Sequence, residues 1–110
     1  MRNVESYRCW FGGHVTIQGS LGCEVRDSYF HHANQFGAGH GYGVWVFAQT
    51  TDTLVENNIF YYLSTAMMIE CGGPGNVFGY NFSSRMFGRD YPETDWAHPD
   101  ISLHLSLIHI

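Results

Sequence analysis

Short runs of alternating apolar and polar residues recur along the chain, and a polar corner follows each run. In the first run, 14–18, the apolar residues Val15 and Ile17 alternate with polar ones. A period of two residues is typical of a strand with one buried face. Similar runs lie at 44–48 and 67–70, and no segment shows the 3.6-residue spacing of an amphipathic helix. The pattern therefore predicts an all-β chain.

A second motif follows each of these runs and indicates a repeat. It has an apolar residue, a short polar corner and then apolar or aromatic residues, and it occurs at 25–30 (VRDSYF), 55–60 (VENNIF) and 78–83 (FGYNFS). The spacings between the three motifs are 30 and 23 residues. A repeat in the low twenties that is built from short strands is typical of a coiled β-solenoid.

Superposition of the three repeats predicts which side chains lie above one another. The columns predicted to face inward are Val15–Val44–Met67 and Ile17–Val46–Ile69. The columns predicted to face outward are Thr16–Trp45–Met68 and Gln18–Phe47–Glu70. At the polar corner Ser28, Asn58 and Asn81 superpose. We therefore expect a ladder of side-chain hydrogen bonds there, which would satisfy backbone groups that the corners bury.

Three segments that carry this pattern resemble the coils of the pectate-lyase-like superfamily. They are 23–32 (CEVRDSYFHH), 54–60 (LVENNIF) and 75–81 (GNVFGYN), and the resemblance covers residues 14–83. It implies a right-handed, single-stranded parallel β-helix of about three to four coils, truncated at both ends. It also implies a secreted or cell-surface protein that cleaves or binds polysaccharide. This implied activity rests on analogy of fold alone.

Two irregular stretches interrupt the repeats and predict long loops at 33–43 and 84–100. Insertions in solenoids lie on one face, which is often the binding face. We expect residues 1–104 to form one partial β-helix domain. The last six residues, 105–110 (LSLIHI), resemble the translation of a sequencing adapter, so we expect a non-native tail there and a fragment of a longer protein.

Charge narrows the choice of partners. All five basic residues are arginine, and the net charge is −5. Neither a nucleic acid nor an anionic membrane surface suits this balance. No apolar run reaches the roughly 20 residues that cross a bilayer. We expect polysaccharide as the partner, with no nucleic acid and no membrane insertion, and the oligomeric state stays open.

An aromatic pair in the outward columns is the candidate for sugar binding. Trp45 and Phe47 offer flat faces that can pack against the C–H surface of sugar rings, and Gln18 lies beside Phe47 in the repeat alignment. The alternative is that both rings pack beneath a neighbouring loop. His32 and Arg85, at the borders of the two predicted loops, complete the expected substrate-binding set.

Glu70 is the carboxylate that the repeat alignment places on the same outward face. A catalytic acid there would need desolvation to raise its pKa. Glycoside hydrolysis needs a second carboxylate at about 5 Å or about 6.5–9.5 Å, and the aligned neighbours Phe47 and Gln18 are not acidic. A loop must then supply it, and the acids available are Asp90, Glu93, Asp95 and Asp100. The alternative is a solvated glutamate without a catalytic role.

Histidines supply the remaining catalytic candidates. The segment 39–41 (GHG) resembles the Gly-His-Gly element of the polygalacturonase family, whose histidine supports the catalytic acids. The chain lacks that family's Asn-Thr-Asp, Asp-Asp and Arg-Ile-Lys motifs. The segment 95–100 (DWAHPD) holds the densest mixture of reactive residue types. The candidate catalytic set is therefore Glu70, His40, Asp95 and His98.

A metal site has little support in the sequence. His31, His32, His40 and His98 can form a metal or acid–base cluster only if the two predicted loops meet, and no short ligand spacing such as HExxH supports one. Hydrogen-bonded loop histidines are the alternative. We expect no metal and no cofactor, with calcium needed only if the protein is a lyase.

Two functions are compatible with this sequence. One is a polysaccharide lyase or glycoside hydrolase, and the other is a non-catalytic β-helix that binds glycans or spaces other domains. Two acids, or an acid with a histidine, in one groove favour catalysis. Scattered acids beside exposed aromatic rings favour binding.

Overall fold

The computed structural model describes residues 1–9, 12–34, 40–86 and 101–104, and these residues form strands and turns without a helix. The strands are β1 (Glu5–Cys9), β2 (Gly12–Gln18), β3 (Glu24–Arg26), β4 (Tyr29–Ala33), β5 (His40–Phe47), β6 (Leu54–Glu56), β7 (Ile59–Leu63), β8 (Thr65–Glu70), β9 (Val77–Gly79), β10 (Phe82–Met86) and β11 (Ile101–His104). Over the same ranges, no helix is present that has the length and apolarity to span a membrane. The all-β class predicted from the two-residue period is confirmed.

Three parallel sheets contain all of these strands. The first sheet has the order β1-β4-β7-β10, the second β2-β5-β8-β11 and the third β3-β6-β9. Every pairing is parallel. From β2 onwards the chain visits the second, third and first sheets in turn, so each repeat contributes one strand to each sheet.

The register of the second sheet confirms the predicted columns. Val15 pairs with Val44 and Val44 with Met67, while Ile17, Val46 and Ile69 form the next inward column. Val44 and Val46 are fully buried. Each such side chain contributes about 1.5–3 kcal/mol when it leaves water. The inward face of the first sheet adds Phe30 and Phe60, whose rings stack with centroids 5.5 Å apart.

The predicted hydrogen-bond ladder is present at the corner between the third and first sheets. The Ser28 backbone N–H donates to Asn58 Oδ1 at 3.1 Å, and the Asn58 N–H donates to Asn81 Oδ1 at 3.0 Å. Asn58 Nδ2 also donates to the Val25 carbonyl at 3.1 Å. Asn58 is 1% exposed, so these bonds satisfy polar groups that water does not reach.

Left-handed backbone conformations recur at equivalent positions of successive repeats. On the first sheet they fall on Arg8, His32, Tyr62 and Arg85, with φ of 60°, 58°, 59° and 61°. At the preceding corner they fall on Asn3, Asp27, Asn57 and Tyr80, with φ of 58°, 55°, 57° and 55°. Positive φ is uncommon for residues other than glycine. Its recurrence indicates that the stacked strands impose the shape of the corner on whichever residue occupies it.

The loop predicted at 33–43 is wrong at both of its ends. Ala33 ends β4, and residues 40–43 begin β5, while 35–39 lie outside the described residues. Gly43 suits the strand because a Cβ there would overlap the Phe60 ring and the Ala66 carbonyl oxygen. Glycine marks close packing at this position and not a turn.

The loop predicted at 84–100 also begins later than expected. Residues 84–86 belong to β10, and Ile101–His104 forms β11 against β8. Residues 87–100 and the tail at 105–110 lie outside the described part of the chain.

Candidate functional site

The second sheet brings four of the predicted site residues together. Gln18 pairs with Phe47 and Phe47 with Glu70, and Trp45 lies two residues before Phe47 on the same face. The Trp45 and Phe47 rings stack with centroids 4.6 Å apart and planes 18° apart. Both residues are half-buried. One face of each ring is therefore used within the pair, which reduces the area available to a ligand.

Trp45 also contacts Tyr42 and Gly12. The Tyr42 ring meets it edge-on at 5.4 Å, and Gly12 lies against the indole, where an added Cβ would come within 3.4 Å of the ring. The indole Nε1 is buried, and in the described part of the chain it has no hydrogen-bond acceptor. The contacts of Trp45 with Phe47, Tyr42 and Gly12 therefore favour the interpretation that the two rings are packed over the interpretation that they form an open sugar platform.

Glu70 has no acidic neighbour in its described surroundings on the sheet. The register places Phe47 on one side of it and His104 on the other. Two carboxylates must lie within about 5–9.5 Å for glycoside hydrolysis. The described part of this face therefore lacks the acid pair that hydrolysis requires.

Three predicted catalytic residues cannot be located in the site. Asp95 and His98 lie outside the described residues. His40 opens β5, and its side chain is also outside the described part. Within the described ranges, no group of three or more His, Cys, Asp or Glu side chains is placed to hold a metal ion.

The last two predicted residues, His32 and Arg85, lie on the outer face of the first sheet, opposite the Phe30–Phe60 core. Both contact Tyr62. The His32 imidazole stacks on the Tyr62 ring with centroids 4.9 Å apart, and the Arg85 guanidinium carbon lies 5.8 Å from the centre of that ring. These three residues and Arg8 occupy the left-handed position of β1, β4, β7 and β10. We call this set, Arg8–His32–Tyr62–Arg85, the outer column.

A second column of planar side chains runs beside the outer column. Tyr7 pairs with His31 and His31 with Tyr61 in the sheet register. The His31 imidazole stacks with the Tyr7 ring at 5.6 Å and with the Tyr29 ring at 4.3 Å. Tyr7 is 61% exposed and Tyr29 is 37% exposed. This face of the sheet therefore presents aromatic rings to solvent, in contrast to the half-buried pair on the second sheet.

A chain of hydrogen bonds links one carboxylate to the two adjacent histidines. His31 Nε2 lies 2.8 Å from Glu5 Oε1, and His31 Nδ1 lies 2.9 Å from His32 Nδ1. A carboxylate accepts hydrogen bonds and donates none, so His31 Nε2 carries a proton. When His31 is neutral, its Nδ1 accepts from the N–H at His32 Nδ1. In that tautomer His32 Nε2 carries a lone pair and can accept a proton.

The electrostatic surroundings favour the neutral form of His32. Desolvation lowers the pKa of the His32 imidazole, and the charges of a protonated His31 and of Arg8 lower it further. Arg8 makes no ion pair with a carboxylate among the described residues. Its guanidinium is therefore available to an anionic group.

These side chains line a surface groove of about 330 Å³, bordered by Glu5, Tyr7, Arg8, His31 and His32. A second groove of about 480 Å³ adjoins it, and the two share Glu5. The second groove is lined by Asn3, Val4, Glu5, Asp27, Ser28, Tyr29, Asn57 and Ile59. We call these two grooves together the Glu5 trough.

Sequence reasoning placed the binding face on the second sheet and missed Glu5, Tyr7 and Arg8. It named His31 only as part of a possible cluster. A usable signal was present, because continuing the alignment of 25–30 with 55–60 by two residues sets His31 and His32 over Tyr61 and Tyr62. The contact between Glu5 and His31 has no such signal.

The outer face of the first sheet thus combines exposed aromatic rings, an imidazole that can accept a proton and a guanidinium. Comparison of the chain with protein-family models, with curated proteins and with solved structures found no match.

Proposed function

We propose that the chain forms part of a right-handed parallel β-helix of the pectate-lyase-like kind and that it binds polysaccharide in the Glu5 trough. Three features support the architecture. Three parallel sheets are visited in turn, amides bond from repeat to repeat through Asn58 and Asn81, and left-handed residues recur in register. A stack of this kind is the arrangement expected of a coiled repeat.

The exposed rings around His31 carry the binding proposal. Sugar rings bind through their C–H faces to aromatic side chains, while their hydroxyls need hydrogen-bonding groups at the edge. Tyr7 and Tyr29 supply exposed rings, and Glu5, His32 and Asn57 supply polar groups along the trough. The second sheet is the weaker candidate because Trp45 and Phe47 cover each other.

Other expectations from the resemblance join this proposal. We include a secreted or cell-surface location and a polysaccharide partner in this proposal, and the acidic balance of the chain disfavours a nucleic acid partner. Calcium is needed only if the protein acts as a lyase. An acid bonded to a histidine in one groove favours a catalytic role over a spacer role, and the bond between Glu5 and His31 is such a pair.

Binding of the full chain to a panel of polyuronates and neutral glycans tests this function. Tyr7→Ala removes an exposed ring at the groove, and Phe47→Ala is the matched removal of a ring on the second sheet. A ring contact worth about 0.5–1.5 kcal/mol predicts a loss of roughly twofold to tenfold in affinity for Tyr7→Ala. Phe47→Ala is expected to leave affinity unchanged. The reverse pattern would move the site to the second sheet, and no binding to any glycan would refute the proposal.

A further inference from the structure

The hydrogen-bond chain Glu5–His31–His32 assigns a chemical task to the groove as well as a binding one. His32 Nε2 is the end of this chain that accepts no bond within it, and both His32 and Arg8 line the same groove. A proton acceptor and a positive charge that share one groove are the two groups that addition of water to a carbonyl requires. We propose that the groove hydrolyses carboxylic esters, specifically acyl groups on the hydroxyls of a bound sugar. His32 is the catalytic base, and Glu5 and His31 are positioning residues.

The residues favour ester hydrolysis over cleavage of a glycosidic bond. A glycosidic bond needs two carboxylates, one of them protonated. The described part of the groove offers one carboxylate, Glu5, and that group is bonded to His31. An ester needs only a base of moderate strength for water and a donor for the developing oxyanion. A neutral imidazole and a guanidinium meet both needs.

The step balances without a co-reactant. Water transfers a proton to His32 Nε2 while its oxygen forms a bond to the ester carbonyl carbon, and the carbonyl oxygen becomes an oxyanion that the Arg8 guanidinium stabilises. Collapse of this intermediate breaks the bond to the alcohol oxygen, which takes the proton back from His32 Nε2. The products are a carboxylic acid and an alcohol.

Glu5 and His31 act on this step through His32. When His32 becomes an imidazolium, its Nδ1–H still donates to His31 Nδ1, and the Glu5 charge lies at the far end of the same chain of bonds. That arrangement fixes the ring and favours the charged form, as a carboxylate does behind a general base. Loss of the Glu5 charge should therefore weaken the base while leaving it in place.

Hydrolysis of p-nitrophenyl acetate by the full chain, followed from pH 5 to 9, tests the assignment. His32→Asn removes the base, and asparagine tolerates the left-handed φ of 58° at this position. After subtraction of the background hydrolysis caused by free imidazole at the same concentration, we expect the rate of this variant to be about 10²-fold or more below that of the unaltered chain. The rate of the unaltered chain should rise with pH to a midpoint below that of free imidazole.

Glu5→Gln tests the positioning role, and Glu24→Gln is its matched control because Glu24 is an exposed carboxylate outside the groove. Glu5→Gln should lower the rate and move the midpoint of the pH profile to lower pH. Glu24→Gln should change neither. Equal rates in His32→Asn and the unaltered chain, or identical profiles for Glu5→Gln and Glu24→Gln, would overturn the proposal.

A spectroscopic measurement keeps the assignment testable even if a variant does not fold. Long-range proton–nitrogen NMR of the unaltered chain should show His32 protonated at Nδ1 and not at Nε2, and the opposite tautomer overturns the proposal. The sugar as carrier of the ester rests on the proposed function, whereas the chemistry does not. Loss of glycan binding with esterase activity retained would refute the proposed function alone. Glycan binding without any esterase activity would refute this inference alone.

Discussion

The His32 imidazole stacks on the Tyr62 ring at 4.9 Å, and both residues hold the same left-handed conformation one repeat apart. Their side chains meet because the backbone of each repeat turns at the same place. The contact therefore depends on two properties of each residue, which are a planar side chain and a tolerance of positive φ. These properties can be separated by mutation.

Replacement of His32 by alanine or by asparagine separates them. Both changes remove the imidazole, but alanine pays the cost of the left-handed conformation, while asparagine tolerates it. We expect His32→Ala to be less stable than His32→Asn by about 1 kcal/mol in urea unfolding. Equal stabilities would show that the backbone conformation at this position is not left-handed in solution.

Asn58 should be among the most sensitive polar positions. Replacement by alanine leaves the buried Ser28 N–H without its acceptor, at about 1–3 kcal/mol, and removes the hydrogen bond from Asn58 Nδ2 to the Val25 carbonyl. We expect Asn58→Ala to lower the free energy of unfolding by about 3 kcal/mol or more. Asn57→Gly is the control, because Asn57 is exposed and glycine tolerates its φ of 57°. It should cost less than about 1 kcal/mol, and similar losses for the two variants would argue against the ladder.

Gly43 and Gly79 form a matched pair of strand glycines. A methyl group at Gly43 would overlap the Phe60 ring and the Ala66 carbonyl oxygen, whereas no atom lies within 4 Å of one at Gly79. Gly43→Ala should destabilise the protein by at least about 2 kcal/mol in thermal or urea unfolding. Gly79→Ala should be neutral or stabilising by up to about 1 kcal/mol. A tolerated Gly43→Ala would place β5 farther from the first sheet than the structure has it.

His14 should make the fold less stable at acid pH. Burial lowers the pKa of this imidazole from 6.5 to about 4, and the charge of His31 adds to the effect, against an opposing hydrogen bond to the His32 carbonyl. The unfolded chain therefore binds a proton between these values that the folded chain does not, and stability falls as the pH drops from 6.5 towards 4. The loss from this one group is up to about 3 kcal/mol.

Urea unfolding at several pH values measures this effect, and His14→Gln should flatten the dependence. The lowered pKa of His32 acts in the same direction, so a smaller slope should persist in the variant. Ser6 Oγ lies 2.8 Å from His14 Nδ1, and glutamine can retain part of this hydrogen bond. An unchanged slope in His14→Gln would show that His14 titrates normally in the folded protein.

The strands and columns were predictable because their information is local and repeated. Val44 and Val46 alternate with polar or aromatic neighbours, and each has a counterpart in the adjacent repeats, so direction and partner both follow from the sequence. Asn58 was predictable for the same reason. Alternation fixes the direction of a side chain but not what covers it, and Met68 shows the difference, since it lies in the outward column and is nevertheless 8% exposed.

The candidate site was less predictable because its contacts are neither local nor repeated. Glu5 reaches His31 over 26 residues, and the aligned residues in the later repeats are Tyr29, Ile59 and Phe82, which carry no charge. Gly43 was assigned to a loop because the sequence does not reveal that Phe60 and Ala66 crowd it. Both cases depend on a partner that becomes a neighbour only after the strands have stacked.

The recurring left-handed turn separates the shape of the backbone from the identity of the side chain. Arginine, histidine and tyrosine all occupy it in this chain at nearly the same φ, since adjacent strands and not the residue itself hold the conformation. Chemistry at these positions can consequently diversify by single substitutions while the spacing between neighbouring groups, about 4.8 Å per strand, stays constant. The backbone thus provides positions at a fixed spacing at which different reactive side chains can be exchanged.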